Sequence, residues 1–379
     1  MHRRLARPLL ALAVLAVAML AAPAITRADT VYVLSRTGSS GSQLFRFQTS
    51  NPYATAVALP LAYDLNEPSA LALGPDGNLY IGDVAPDFSG GRISRYTIAT
   101  GSIAPVVALD GTSPPFSGGP VAPASIAFRP ASQGGEMLVG RSPISQFYPG
   151  FTSTGPVLKV AGWDGSGPLQ VGDYTGGAGG DLGASPGLAL APDGTLYVSS
   201  SQYAFPTLTG TIASFASAGV TGTFAGNVAV EGSGANLPAD TGLAGPTGLL
   251  VGGSTSLYSA SVMNGRIYRT DLATNTTTAF GDELLDGVGL GSPGAIAALT
   301  GGDLIAGDSA ASGLLWRIAA DGSTTTVLFD PAAGANVGGF DFGAIGGLAV
   351  VPEPSAVALA GMGCMAIGWK AWRRRRRVA

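Results

Sequence analysis

The chain has 379 residues, of which only 12% are charged, and its 58 Gly and 26 Pro suit many short strands joined by tight turns rather than helical or doubly wound layers. The net charge of −4 hides an asymmetry. With the basic residues of the two ends set aside (Arg3, Arg4, Arg7 and Arg27; Lys370 and Arg373 to Arg377), ten basic residues face 23 acidic ones, and a balance of −13 disfavours nucleic acid as a partner.

The single histidine, His2, and the single cysteine, Cys364, both lie in terminal segments. The middle of the chain therefore has no histidine triad, histidine-bound zinc, disulfide or thiol nucleophile. At the N-terminus, residues 1–8 are short and basic, 9–22 form an unbroken apolar run, and small residues follow up to Ala28. This is the three-part layout of a secretory signal over residues 1–28, with cleavage expected after Ala28 and Ala24 as the second choice. The apolar run is short for a membrane span, which needs about 20 residues; a retained anchor is the alternative.

Residues 31–34, 43–47 and 55–59 read as three strands that lack a first partner. Residues 68–83 then spell a β-hairpin. Leu71, Ala72 and Leu73 form one strand, Pro75-Asp76-Gly77 the turn, and residues 79–81 the return. Residues 186–200 repeat this almost letter for letter, and looser copies begin at Pro123, Pro246 and Pro293. A period of about 50 residues indicates a propeller or solenoid.

Counted from these starts, blades occupy residues 68–109, 123–171, 186–225, 246–280 and 293–329, each with four strand signals. Residues 345–350 have the character of a first strand with nothing after it. An open sheet edge invites aggregation, so this strand is expected to complete the blade begun at residue 31 and to clasp the two ends together. The expected fold is all-β: a six-bladed propeller of four-stranded blades over residues 29–350, with hydrophobic helices at both termini.

The residues Leu65-Asn66-Glu67-Pro68, Pro75-Asp76-Gly77-Asn78-Leu79-Tyr80-Ile81-Gly82-Asp83 and Asn264-Gly265-Arg266-Ile267-Tyr268 resemble the NHL-type repeat of six-bladed propellers. Blade three departs from it, since residues 131–136 replace the Pro-Asp-Gly turn. The resemblance implies a fold and a binding platform, not one activity.

The tail, 351–379, joins Val351-Pro352-Glu353-Pro354-Ser355 to an apolar segment, 356–369, and a basic cluster, 370–377. This order resembles the PEP-CTERM sorting signal of Gram-negative bacteria that make exopolysaccharide. The resemblance implies an exosortase in the inner membrane that cuts near Pro352, Glu353 and Pro354. It also implies a transient tether to that membrane, followed by a place at the cell surface or in the extracellular matrix. A plain C-terminal anchor is the alternative reading.

In a propeller, the second-to-third-strand loops and the blade-to-blade connections open on one face, where ligands usually bind. The expected ends of the second strands are Ser35, Asp83, Arg141, Ser200, Ser261 and Asp308, a ring around the mouth. Asp83 and Asp308 are candidate ligand-binding residues, with calcium as the candidate ion; turn capping is the alternative role. On this reading the double variant Asp83→Ala, Asp308→Ala leaves folding intact. Fifteen of the 23 acidic residues map to the same face, a charge that attracts calcium or cationic groups, although loops collect charge in any case.

Aromatic residues fall in the loops of that face too: Phe88, Phe147, Tyr148, Phe151, Tyr203 and Phe205. Tyr148, Phe151, Tyr203 and Phe205 are candidate sugar-binding residues, because a sugar's apolar face stacks on a ring while carboxylates accept its hydroxyls. The alternative is that these rings anchor long loops. Residues 176–182 are similar to one calcium-binding β-roll repeat, but such repeats work in tandem and this one stands alone. Glu67-Pro68 is similar to a motif of gluconolactonase-like propellers whose glutamate binds a metal, yet no matching Asn and Asp set follows.

Three functions fit the sequence. The leading one is an exported, non-catalytic propeller that binds exopolysaccharide or a surface protein. The others are a metal-dependent carboxylate hydrolase or lyase and a purely structural matrix protein. Neither a catalytic residue nor a metal site is assigned, and no organic cofactor is expected.

Overall fold

The computed structural model describes residues 29–38, 41–62, 64–84, 90–109, 122–142, 157–175, 187–204, 207–218, 221–230, 246–262, 265–284, 291–310, 312–331 and 342–352. They form six sheets of four antiparallel strands. The first blade contains β1 (Asp29–Gly38), β2 (Gly41–Gln48) and β3 (Val57–Leu59). Blade 2 follows with β4 (Ala70–Leu73), β5 (Leu79–Val84), β6 (Gly91–Thr97) and β7 (Ser102–Leu109), and blade 3 with β8 (Ala122–Phe128), β9 (Met137–Ser142), β10 (Val157–Ala161) and β11 (Gln170–Asp173). Blade 4 comprises β12 (Leu188–Leu190), β13 (Leu196–Ala204), β14 (Thr207–Ala218) and β15 (Thr221–Val230). Blades 5 and 6 are β16 (Pro246–Gly252), β17 (Ser256–Ser261), β18 (Arg266–Asp271) and β19 (Thr276–Phe280), then β20 (Pro293–Ala298), β21 (Leu304–Asp308), β22 (Leu315–Ile318) and β23 (Thr325–Phe329). The last strand, β24 (Ala344–Pro352), returns to blade 1 and pairs with β1, which closes the propeller as the sequence implies.

The repeated hairpin owes its shape to the Pro-Asp-Gly turn. Gly77 takes φ 75°, a left-handed conformation that favours glycine. The Asp76 carboxylate accepts from the Asn78 N–H at 3.1 Å, the Asn78 amide at 2.8 Å and the Tyr80 hydroxyl at 3.0 Å. Burial pushes the Asp76 carboxyl up, but these hydrogen bonds outweigh it and hold the group below its usual value. In blade 3 a 3-10 turn over Ala131–Gln133 does the same job with different residues, and β8 still pairs with β9.

Local boundaries differ from the sequence reading at several strand ends, with blade 3 running to Asp173 and blade 4 to Val230, and three further differences have a local cause. Thr55 closes a helical turn, Pro52–Thr55, capped by the Asn51 side chain, so β3 starts only at Val57. In blade 4, β13 runs past Ser200 to Ala204, because the two-residue connection to β14 keeps pairing alive through Tyr203 with Leu208 and Ala204 with Thr207. The closing strand runs two residues beyond Val350 and includes Pro352. The expected terminal helices fall on residues 1–28 and 353–379, outside the described residues.

The core lies between blades. At the seam of blades 1 and 6, Phe342 stands 4.5 Å from Phe329 and 4.9 Å from Phe45, and Phe329 contacts Phe47 and Tyr53 at 5.9 and 4.8 Å between ring centroids. Val31, Val33, Leu315 and Ile345 belong to the same buried cluster. A buried side chain of this size contributes about 1.5–3 kcal/mol, so apolar burial is a major support of the seam. Phe329→Ala is expected to cost about 3–5 kcal/mol, read as a lower denaturation midpoint, because it leaves a cavity at the centre of the stack. Val327→Ala on the same strand, where the side chain is 52% exposed, is expected to change stability by less than about 0.5 kcal/mol.

Candidate functional site: the channel mouth

The inner strands of all six blades surround a cavity of 490 Å³. Glu67, Ala122 and Ser309 line it, and each stands beside the start of an inner strand or the end of a second strand, so the cavity opens on the face where blades are joined. That is the mouth face; the opposite, turn face carries the connections from first to second strands. The polar residues in the wall are Arg36, Glu67, Ser69, Ser125, Thr247 and Ser309, and the rest are glycine and aliphatic residues. Blades approach closely here: a Cβ on Gly187 would sit 1.9 Å from the Thr247 carbonyl oxygen.

The six residues expected to ring the mouth are all buried: Ser35, Asp83, Arg141, Ser200, Ser261 and Asp308. For Ser35, Asp83 and Asp308 the hydrogen-bond partners explain why. Asp83 is fully buried, and its Oδ1 accepts the N–H groups of Asn66 and Glu67, both at 3.0 Å. Its Oδ2 pairs with the Arg92 guanidinium at 2.8 Å. Asp308, also fully buried, accepts the N–H groups of Ser292 at 2.9 Å and Ala310 at 3.2 Å, and the Ser312 hydroxyl donates to its other oxygen. Ser35 donates its hydroxyl to the Phe342 carbonyl.

In each case the end of a second strand holds the segment that leads into the first strand of the same blade. The two carboxylates expected to face a ligand are turned inward, and the residues beside them, Val84 and Ser309, line the cavity instead. Arg141 is governed first by burial, which pushes its pKa down, and second by Asp173, which raises it.

A second set of polar contacts joins one blade to the next. The Ser69 hydroxyl donates to the Pro123 carbonyl, and that of Thr247 to the Pro293 carbonyl at 3.1 Å. In blade 4, where Gly187 replaces the hydroxyl residue, Ser199 of β13 donates to the Thr247 carbonyl at 3.1 Å. The sequence signal for this was the hydroxyl after the blade-initial proline, in Pro68-Ser69 and Pro246-Thr247.

Carboxylates on the turn face are capped locally. Asp193 and Asp321 each accept the N–H two residues on at 2.9 Å, and Asp271 accepts those of Ala273 and Thr274 at 2.9 and 3.0 Å. The Asp271 carboxyl is held below its usual value by the hydrogen bonds of Thr274 and Ala273, and that of Asp321 by Ser323. Among the described residues, no three His, Cys, Asp or Glu side chains are grouped to hold a metal ion.

Tyr148 and Phe151 fall between β9 and β10, and Phe205 between β13 and β14, all outside the described residues, as are Phe88, Phe147, Glu353 and Pro354. Tyr203 belongs to β13, opposite Leu208, rather than to a loop; its side chain lies outside the described residues. Pro352 ends β24.

Comparison with known protein families matches residues 350–376 to the PEP-CTERM protein-sorting motif. The fold is similar to a chain in the crystal structure of a nidogen/laminin complex, with TM-score 0.57 and 14% identity over 85% of this chain and 98% of that one. At that identity the likeness shows the fold alone. No curated protein matches the chain.

These findings define the molecule as a six-bladed β-propeller with a C-terminal sorting motif. It is an exported surface protein, and its motif is the recognition signal of exosortase. Among the described residues, no helix is long and apolar enough to cross a membrane.

The geometry reverses the sequence expectation for the two aspartates. Asp83→Ala would leave the N–H groups of Asn66 and Glu67 without their acceptor and remove the ion pair with Arg92, and a donor left without a partner away from water costs about 1–3 kcal/mol. Asp83→Ala and Asp308→Ala are each expected to lower the urea denaturation midpoint markedly; Ala310→Ser, beside Asp308 but exposed, should leave it unchanged.

Proposed function

We propose that the chain is a non-catalytic binding module that takes extracellular polysaccharide on its mouth face. The observation that carries this reading is the distribution of chain length between the two faces. All six blade-to-blade connections, of 10 to 15 residues, leave from the mouth face, whereas every connection on the turn face has eight residues or fewer. Long connections on a rigid scaffold are where recognition residues are placed.

Tyr148 and Phe151 belong to the 14-residue connection between β9 and β10, and Tyr203 and Phe205 to the neighbouring blade 4 hairpin. Arg36 and Glu67 in the cavity wall supply polar groups for hydroxyls or charged substituents. Rings that stack on a sugar face beside such groups form the chemistry of a glycan site.

The sorting motif supports the rest of the reading. Exosortase cuts near Pro352, Glu353 and Pro354, the precursor is tethered to the inner membrane until then, and the propeller passes to the surface or matrix where exopolysaccharide is found. The protein is expected to co-sediment with the host's exopolysaccharide. The triple variant Tyr148→Ala, Phe151→Ala, Tyr203→Ala is expected to lose that binding while its denaturation curve stays that of the wild type. A folded wild type that does not bind would leave a protein partner or a structural role in place of the glycan.

A further inference from the structure

The closing strand pair fixes where the C-terminal segment leaves the propeller. β24 is an inner strand: Ile345, Gly346, Gly347 and Leu348 all line the channel. It runs from the mouth face to the turn face, and its last residue, Pro352, pairs with Asp29, the first residue of β1. In other blades this position holds the turn between first and second strands, such as the one joining Leu73 to Leu79 or Leu190 to Leu196. In blade 1 that turn is absent, and both chain ends depart there, from residues whose Cα atoms lie about 5 Å apart in an antiparallel pair.

The departure point is held firmly. Asp29 is 3% exposed. Its carboxylate accepts the N–H of Thr300 at 2.8 Å and the Thr300 hydroxyl, and its own N–H donates to the Thr49 hydroxyl at 3.0 Å. Thr300 lies in the turn between β20 and β21 of blade 6, so Asp29 pins the first blade to the last across the seam.

The remaining chain is short. Only Glu353, Pro354 and Ser355 separate Pro352 from the apolar run 356–369, and because that run is itself shorter than the roughly 20 residues of a full span, its flanks are drawn toward the bilayer and the tether can only shorten. Four extended residue steps reach roughly 14 Å, and crossing the headgroup layer takes about 5–7 Å of that. For the propeller to lie on its rim, its centre must be raised by the width of a blade. Four strands spaced about 4.8 Å apart, plus side chains, make that roughly 15 Å or more. The tether is too short for this, and far too short to turn the mouth face toward the membrane.

We infer that, while the C-terminal apolar run is in the membrane, the propeller stands with its turn face against the lipid headgroups and its channel mouth directed away. The inference rests on the tethered precursor described under Proposed function. The lipid surface is then the partner of the short, locally capped turns, and the mouth face stays open to a large polymer before the sorting cut is made.

The test uses the full chain in liposomes whose headgroups carry nitroxide. Cys364→Ala removes the only native cysteine, and one fluorophore-labelled cysteine is added at a time. Ser254→Cys and Thr324→Cys report the turn face; Ala62→Cys and Ala310→Cys report the mouth face, and all four sites are exposed. Turn-face probes are expected to be quenched severalfold more than mouth-face probes, and a long Gly-Ser spacer after Ser355 should erase the difference. Equal quenching without the spacer, or stronger quenching at the mouth, overturns the orientation. Persistence of the difference with the spacer overturns the short tether as its cause. A chain that does not float with the liposomes at all overturns the tethered precursor itself.

Discussion

The pairing of β24 with β1 is the interaction on which the rest of the structure depends. A ring of blades has a cavity and two distinct faces only when it is closed, and here closure joins residues at the two ends of the propeller. The separation between Asp29 and Pro352 exceeds that across a local hairpin such as 73–79 by five to six doublings, an added closure cost of about 3–4 kcal/mol. Burial of one large side chain contributes about 1.5–3 kcal/mol, so two of Phe45, Phe47, Phe329 and Phe342 suffice to offset that cost. The seam is therefore built as a hydrophobic interface first, with the Asp29–Thr300 hydrogen bonds fixing its register.

Buried polar groups set the shape of the ring once apolar packing has formed it. Asp83, Asp308 and Ser35 each hold the lead-in of their own blade, while Ser69, Thr247 and Ser199 reach the backbone of the next. Both sets engage backbone groups at or just before the starts of the inner strands, beside the channel wall. The mouth is a rigid frame as a result. In the proposed binding role, recognition would fall to Arg36, Glu67 and the long connections above the frame.

Much of the fold was legible in the sequence because the signals are local. Pro-Asp-Gly turns, the blade-initial prolines and apolar triplets placed blades 5 and 6 at the observed limits, Pro246–Phe280 and Pro293–Phe329. Closure was legible from a count: three strands lacked a first partner and one first strand lacked followers. The helical turn at Pro52–Thr55 and the extension of β13 to Ala204 were not, because each depends on pairing across a connection whose geometry the residue types leave open. The sequence left Asp83 and Asp308 open between ligand binding and turn capping, for a different reason. An acidic residue at a strand end reads the same whether it faces a cavity or a neighbouring backbone, and only the packing of the lead-in segment decides. The candidate aromatics are an inference from position in the chain, and Tyr203 shows the cost: it continues a strand.

Ring closure and export meet at the strand pair that ends in Asp29 and Pro352. A signal cut after Ala28 and a sorting cut beyond Pro352 would both trim the chain flush with the folded sheet and leave every β24–β1 pair intact. The most direct measurement is the intact mass of the mature protein recovered from the cell surface or the medium. The expected species begins at Asp29 and ends at or just after Pro352. A mature chain that starts beyond Val31, or ends before Val350, would have lost its closing pairs and would contradict a propeller closed by β24.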